Sequence, residues 1–142
     1  MKKILFLTFA VFGMLAMSGC NKEKNNAEDL ILGSWCNTAE SAERTVMGPR
    51  CISEGIITCK FDRKTVEIGD RRCNCIPRSE KYALVEENGG LWLKVETNVT
   101  NCCFWHSPFR VVKLTKDTLV LDDEKGMDLG CRYIFRHAGT EE

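Results

Sequence analysis

Nine cysteines are the residues of this chain best equipped for chemistry, and their spacing limits what that chemistry would be. Cys73 and Cys75 flank a single residue, Cys102 and Cys103 are adjacent, and His106 follows closely. Thiolates with an imidazole suit a soft or borderline ion such as Cu(I) or Zn(II). That set would make a metal or redox sensor. No Cys-x-x-Cys spacing occurs, however, and in an oxidising compartment the same cysteines read as disulfides. With Cys20 set aside, the remaining Cys36, Cys51, Cys59, Cys73, Cys75, Cys102, Cys103 and Cys131 form an even set that can pair completely, in a wiring that spacing does not choose. Disulfides are therefore expected rather than a metal site, and no cofactor is expected. His106 and His137 stand at no motif spacing from a hydroxyl nucleophile. Without an acid, base and nucleophile set, the chain does not read as an enzyme.

Cys20 has different chemistry. Lys2 and Lys3 precede an apolar stretch from Ile4 to Met17, and Ser18 and Gly19 supply small residues before the cysteine. The stretch is shorter than the roughly 20 apolar residues that a spanning helix needs, and reads as a signal peptide over residues 1–19. Met17-Ser18-Gly19-Cys20 resembles the bacterial lipobox, with Met where Leu is usual. The resemblance implies cleavage before Cys20, acylation of its thiol and amine, and anchorage in a bacterial envelope membrane. Asn21, next to the lipidated position, implies the outer membrane, on its periplasmic or surface face. Residues 21–29 are polar and without apolar period, so residues 20–29 are expected to be the lipidated cysteine and a tether. Removing the leader leaves two more acidic than basic residues. With no basic stripe, nucleic acid is not an expected partner.

Strand-like segments must position the remaining cysteines. Eight are read: 30–36, 55–61, 64–69, 81–86, 90–97, 108–114, 118–122 and 129–136. They are rich in β-branched and aromatic residues, and several alternate with period two. In the last, Leu129, Cys131, Tyr133 and Phe135 share one face. Tight turns at 62–63, 87–89 and 115–117 alternate with long connections at 37–54, 70–80, 98–107 and 123–128. Asn88-Gly89 is a strong hairpin signal. In an up-and-down meander all the tight turns fall at one end and the long loops at the other. Most of the cysteines then lie in or beside the loop end, and Cys36–Cys131 would bridge the first and last strands. Residues 38–46 suggest a short helix, with Asn37 and Glu40 in a capping-box relation. Asp122, Asp123 and Glu124 read as a solvated turn, and His137 as part of a solvated tail.

Leu32-Gly33-Ser34-Trp35 resembles the Gly-x-Trp opening of lipocalin-like domains. The stretch from Val111 to His137 resembles the last strands of the short lipocalin-like domains of bacterial lipoproteins of the Bacteroidetes type. The resemblance covers about residues 30–137 and leaves 138–142 as a tail. It implies an all-β, antiparallel, eight-stranded barrel, here disulfide-rich. It also implies that Gly33 and Trp35 are structural, with Trp35 under the barrel floor against Arg136 or Arg132 in a cation–π contact. The family has no shared set of ligand-contacting residues. In this chain Phe104, Trp105, His106 and Phe109 sit by the loop end and would line or lid a pocket, or touch a partner. The expected function is non-catalytic: a lipid-anchored module binding a small apolar ligand or a protein partner through its loop end. The alternative is a metal or redox stress sensor using the loop cysteines.

Overall fold

The computed structural model describes residues 24–45, 47–73, 75–96, 108–123 and 130–139, with the side chains of residues 44, 45, 73, 75 and 76 outside that description. The leader, Cys20 and the lipobox lie outside the described residues. Among those described, no helix is long and apolar enough to cross a membrane.

Ten strands follow one another: β1 (Gly33–Asn37), β2 (Ala42–Thr45), β3 (Gly48–Cys51), β4 (Ile57–Phe61), β5 (Thr65–Asp70), β6 (Cys75–Glu87), β7 (Gly90–Glu96), β8 (Phe109–Leu114), β9 (Thr118–Asp123) and β10 (Cys131–His137). Eight of them form a closed antiparallel barrel in the order β1-β4-β5-β6-β7-β8-β9-β10, because β1 also pairs with β10. These overlap the eight segments that the alternation singled out, but β6 starts six residues early, so the expected long connection at 70–80 shrinks to 71–74. Closure leaves these eight without a free edge between them. The tight turns all lie at one end. Asn88 and Gly89 turn the β6–β7 hairpin with φ of 51° and 72°, the positive pair that a type I′ turn demands. The β4–β5 turn is held by Asp62, whose carboxylate accepts from Lys64 N at 2.9 Å, Thr65 N at 2.8 Å and Thr65 Oγ1 at 2.8 Å.

The interior follows the alternation. On β4, Ile57, Cys59 and Phe61 point in while Thr58 and Lys60 point out. Trp35, Phe109, Tyr133 and Phe135 are at most 2% exposed, and aliphatic side chains fill the space between them. Burying one such side chain is worth about 1.5–3 kcal/mol, so this filling is the main source of stability. At the tight-turn end, residues 24–30 form a helical segment. Ala27 and Ile31 bury there at 7% and 0% exposure, and Ile31 N donates to Ala27 O at 3.0 Å. The expected tether is therefore shortened, because these residues plug the barrel floor instead of hanging free.

Residues 38–45 are not helical, and residue 46 lies outside the described residues. Asn37 caps nothing there: its Oδ1 accepts from Ile57 N at 2.8 Å, and its Nδ2 donates to Ser53 O at 3.0 Å. The physical reason is the length of β10. It runs past the end of β1, and its backbone groups need new partners. Thr38 N donates to Ile134 O at 2.7 Å, and Ser41 Oγ accepts from Ile134 N at 2.9 Å. The β2–β3 hairpin then takes over, with Ala42 opposite Arg132 and Glu43 opposite Cys131. Pairing along β10 outweighs the local helix signal.

Trp35 does not meet an arginine. Its ring packs edge-to-face on His137 at 4.8 Å, and its Nε1 donates to Ile31 O at 2.8 Å. Alternation explains the change. Phe135 and His137 share the inner face, which sends Arg136 outward, and Arg132 is bound to Asp122 at 2.7 Å on the outside. His137 is thus no solvated tail residue. Its Nδ1 accepts from Gly139 N at 3.2 Å, so its Nε2 carries the proton and donates to Leu32 O at 3.2 Å. Gly33 is required beside it, since φ is +109° and a Cβ would stand 2.4 Å from His137 Nε2. Gly33→Ala should therefore cost about 2–3 kcal/mol, read as a lower urea midpoint. A midpoint equal to wild type would refute this account of the seam.

Candidate functional site at the loop end of the barrel

The strand ends opposite the tight turns are polar by construction. Continuing the alternation of β5, Val66 and Ile68 are followed on the inner face by Asp70, whose side chain is fully buried. The same rule on β9 takes Leu119 and Leu121 to Asp123, which is 4% exposed. Asp123 is thus no part of a solvated turn, although Asp122 beside it does face outward to Arg132.

Arg72 organises this mouth from the single turn of 3₁₀ helix at Arg71–Cys73. Its Nε donates to Asp70 Oδ1 at 3.0 Å and its Nη2 to Asp70 Oδ2 at 2.7 Å, a fork-to-carboxylate match. Arg72 N adds a third bond to the same carboxylate at 3.0 Å. Nη1 reaches across to Glu43 on β2, tying the hairpin to the β5–β6 corner. Burial works against the guanidinium charge. The hydrogen bonds and charge of Asp70, helped by Glu43, outweigh it and hold its pKa above the ordinary value. Below lies Tyr133, whose phenol is pushed up by burial and then by Cys131, with Arg72 opposing. Tyr133 therefore stays neutral, packed edge-to-face on Phe109 at 6.2 Å.

Of the residues expected to contact a ligand or partner, Phe109 is fully buried in the interior beneath the mouth. Phe104, Trp105 and His106 lie outside the described residues, as do Cys102 and Cys103. Cys73 and Cys75 are placed by their backbone at the mouth, where Cys75 pairs with Asp70. The four described thiols are Cys36, Cys51, Cys59 and Cys131, and none is in a disulfide. The Cys36–Cys131 bridge is overturned. Cys36 stands opposite Arg136, and Cys131 lies five residues back along β10. At about 3.3 Å per residue that separation is far beyond the ~7 Å limit for bridged Cα atoms. Cys59 is 2% exposed between Trp35 and Ile68 on the adjacent strands, and reaching it from the mouth means displacing the fully buried Ile57. Its thiol is pushed well up, first by burial and then by the nearby Cys36 and Asp70. Among the described residues no group of three His, Cys, Asp or Glu side chains is arranged to hold a metal ion.

A second concavity of about 370 Å³ opens at the tight-turn end, lined by Lys24, Glu28, Arg63, Tyr82, Ala83 and Leu84. It is the seam between the helical segment and β6. Tyr82 Oη donates to Asp62 O at 2.6 Å there. No family model matches the chain, and no curated protein and no solved structure matches it either.

Asp70, Arg72 and Glu43 were not singled out by sequence spacing. Carrying the period of β5 one step further, past Gly69, would have placed Asp70 inside and called for a cation near it. Nothing in the sequence signals Glu43, whose position depends on the unexpected hairpin.

Two outcomes follow. Arg72→Met leaves the Asp70 carboxylate buried with its charge uncompensated, which should cost about 3–5 kcal/mol in urea unfolding. Adding Asp70→Asn should recover most of that loss; a double variant no more stable than Arg72→Met would sink the pairing argument. In native Cys20→Ser protein, iodoacetamide should modify exposed Cys51 where it is reduced and spare Cys59. Because Cys59 withdraws from an even set, unfolding should expose Cys59 and at least one other thiol per monomer. Mass spectrometry that finds every cysteine disulfide-bonded within one chain would contradict this.

Proposed function

We propose that this chain is a lipid-anchored lipoprotein of the bacterial envelope, held through Cys20 at the outer membrane, with a barrel that is a non-catalytic binding module. Its binding end is the mouth formed by the long connections. One contrast supports a protein partner over a small apolar ligand. The interior is occupied by Trp35, Phe109, Tyr133 and Phe135, whereas the mouth above them is charged, with Asp70, Asp123, Arg72 and Glu43. An apolar guest would have to cross that charged rim and displace packed aromatics. A protein surface can instead meet partly exposed charges and the projecting β2–β3 hairpin, whose tip residue Met47 is 99% exposed. The aromatic run Phe104-Trp105-His106 lies in the sequence between Glu96 of β7 and Phe109 of β8, both at this end. It supplies the kind of side chains that anchor interfaces.

The alternative, a metal or redox sensor, draws on the exposed thiol of Cys51 and on the backbone positions of Cys73 and Cys75 at the same end. Native mass spectrometry of Cys20→Ser protein made in a periplasm separates these readings. The mass of the polypeptide alone is expected. A retained apolar molecule would instead make the barrel a ligand carrier, and stoichiometric copper or zinc would favour the sensor.

A further inference from the structure

We infer that the tight-turn end of the barrel lies against the membrane and that the loop end is held facing away from it. This rests on the lipoprotein reading of Cys20. Only Asn21, Lys22 and Glu23 separate Cys20 from Lys24, the first described residue of the helical segment. Fully extended, that interval reaches about 14 Å. The helical segment is not a free continuation of the tether. Ala27 and Ile31 are buried in the barrel floor, Asp29 meets Arg63 of the β4–β5 turn at 3.4 Å, and Lys24 and Glu28 line the cleft against Tyr82 and Leu84. The anchor is thus short and enters the barrel at one end only. The loop end lies farther out by the length of a strand such as β9, whose six residues span about 20 Å.

The tight-turn end also carries side chains that a headgroup layer accommodates. Arg63, Lys64 and Lys116 are exposed on its turns. Exposed acidic groups stand among them: Asp29 pairs with Arg63, Glu28 with Lys24, and Glu87 with Lys94 at 2.6 Å, Asp62 is turned onto its own backbone, and Glu86 and Asp117 are exposed on the neighbouring turns. Half-buried Trp92 lies on the outside of the β6–β7 hairpin, its Nε1 donating to Glu87 O at 3.1 Å. An amphipathic ring of that kind is at home at headgroup level.

The test uses the full lipidated chain in vesicles of phosphatidylethanolamine and phosphatidylglycerol. A photo-crosslinking benzoylphenylalanine replaces Lys116 at the tight-turn end or Met47 at the hairpin tip. Lipid adducts should form several-fold more from position 116 than from position 47. Inserting a flexible Gly/Ser segment of about 20 residues, with a root-mean-square reach of about 25 Å, between Glu23 and Lys24 should erase most of that difference. Equal adducts from both positions in the uninserted chain would overturn the orientation, and a difference unchanged by the insertion would overturn the tether as its cause. Cys20→Ser is the separate control. If that variant stays membrane-bound, the lipoprotein reading fails; if it is released while the two positions crosslink equally, only the orientation fails.

Discussion

The seam between β1 and β10 is the constraint on which the rest of this barrel depends. Closing a sheet of eight strands requires the first and last to meet, and here they meet over only three register pairs. The shortness of that seam is offset by what is packed on it. Trp35 spans from the wall to the floor: its ring meets His137 of β10 and its Nε1 holds Ile31 O at the end of the helical segment. His137 is fixed from both ring nitrogens, and it fits only because Gly33 has no Cβ. One aromatic pair thus joins closure of the barrel to plugging of its floor.

The same short seam explains the excursion above it. Since β1 stops at Asn37 and β10 continues towards Cys131, the edge of β10 is left to residues 38–43. Ser41 takes both backbone groups of Ile134, donating to its carbonyl at 3.1 Å, before the hairpin proper begins. Asn37 fixes the other side of the excursion through Ile57 and Ser53. The mouth inherits its chemistry from this arrangement, because Glu43 is carried to Arg72 by β2, which pairs with β10 on one side and β3 on the other.

Period-two patterning was strong enough in the sequence to place all eight barrel strands, and Asn88-Gly89 marked its hairpin. The fold was therefore largely legible. Three kinds of detail were not. Long-range pairing overrode local propensity at residues 38–45, where Asn37 and Glu40 mimic a capping box. The partner of Trp35 was missed because neither arginine considered faces inward, whereas a step from Arg136 to His137 moves the side chain from the outside to the Trp35 face. The polar lining of the mouth was missed because Asp70 and Asp123 stand at strand ends, where an acidic residue reads equally well as the start of a solvated turn. Parity of the cysteines misled for a related reason: a count treats Cys59 like the others, while its strand position commits it to the core.

The two ends of the barrel differ because they are terminated by different means. At the tight-turn end each turn satisfies itself, as Asp62 does for Lys64 and Thr65 and as Thr115 Oγ1 does for Thr118 N at 3.1 Å. That end needs no further polar groups, so an apolar plug of Ala27 and Ile31 suffices to close it. At the other end the interior must stop at strand ends joined by long connections. Buried carboxylates there need a cation, and Arg72 is the group that meets both Asp70 and Glu43. A charged network of this kind stabilises little beyond what apolar packing would give. What it does supply is geometry, since Arg72 ties the β2–β3 hairpin to the β5–β6 corner while neutralising Asp70.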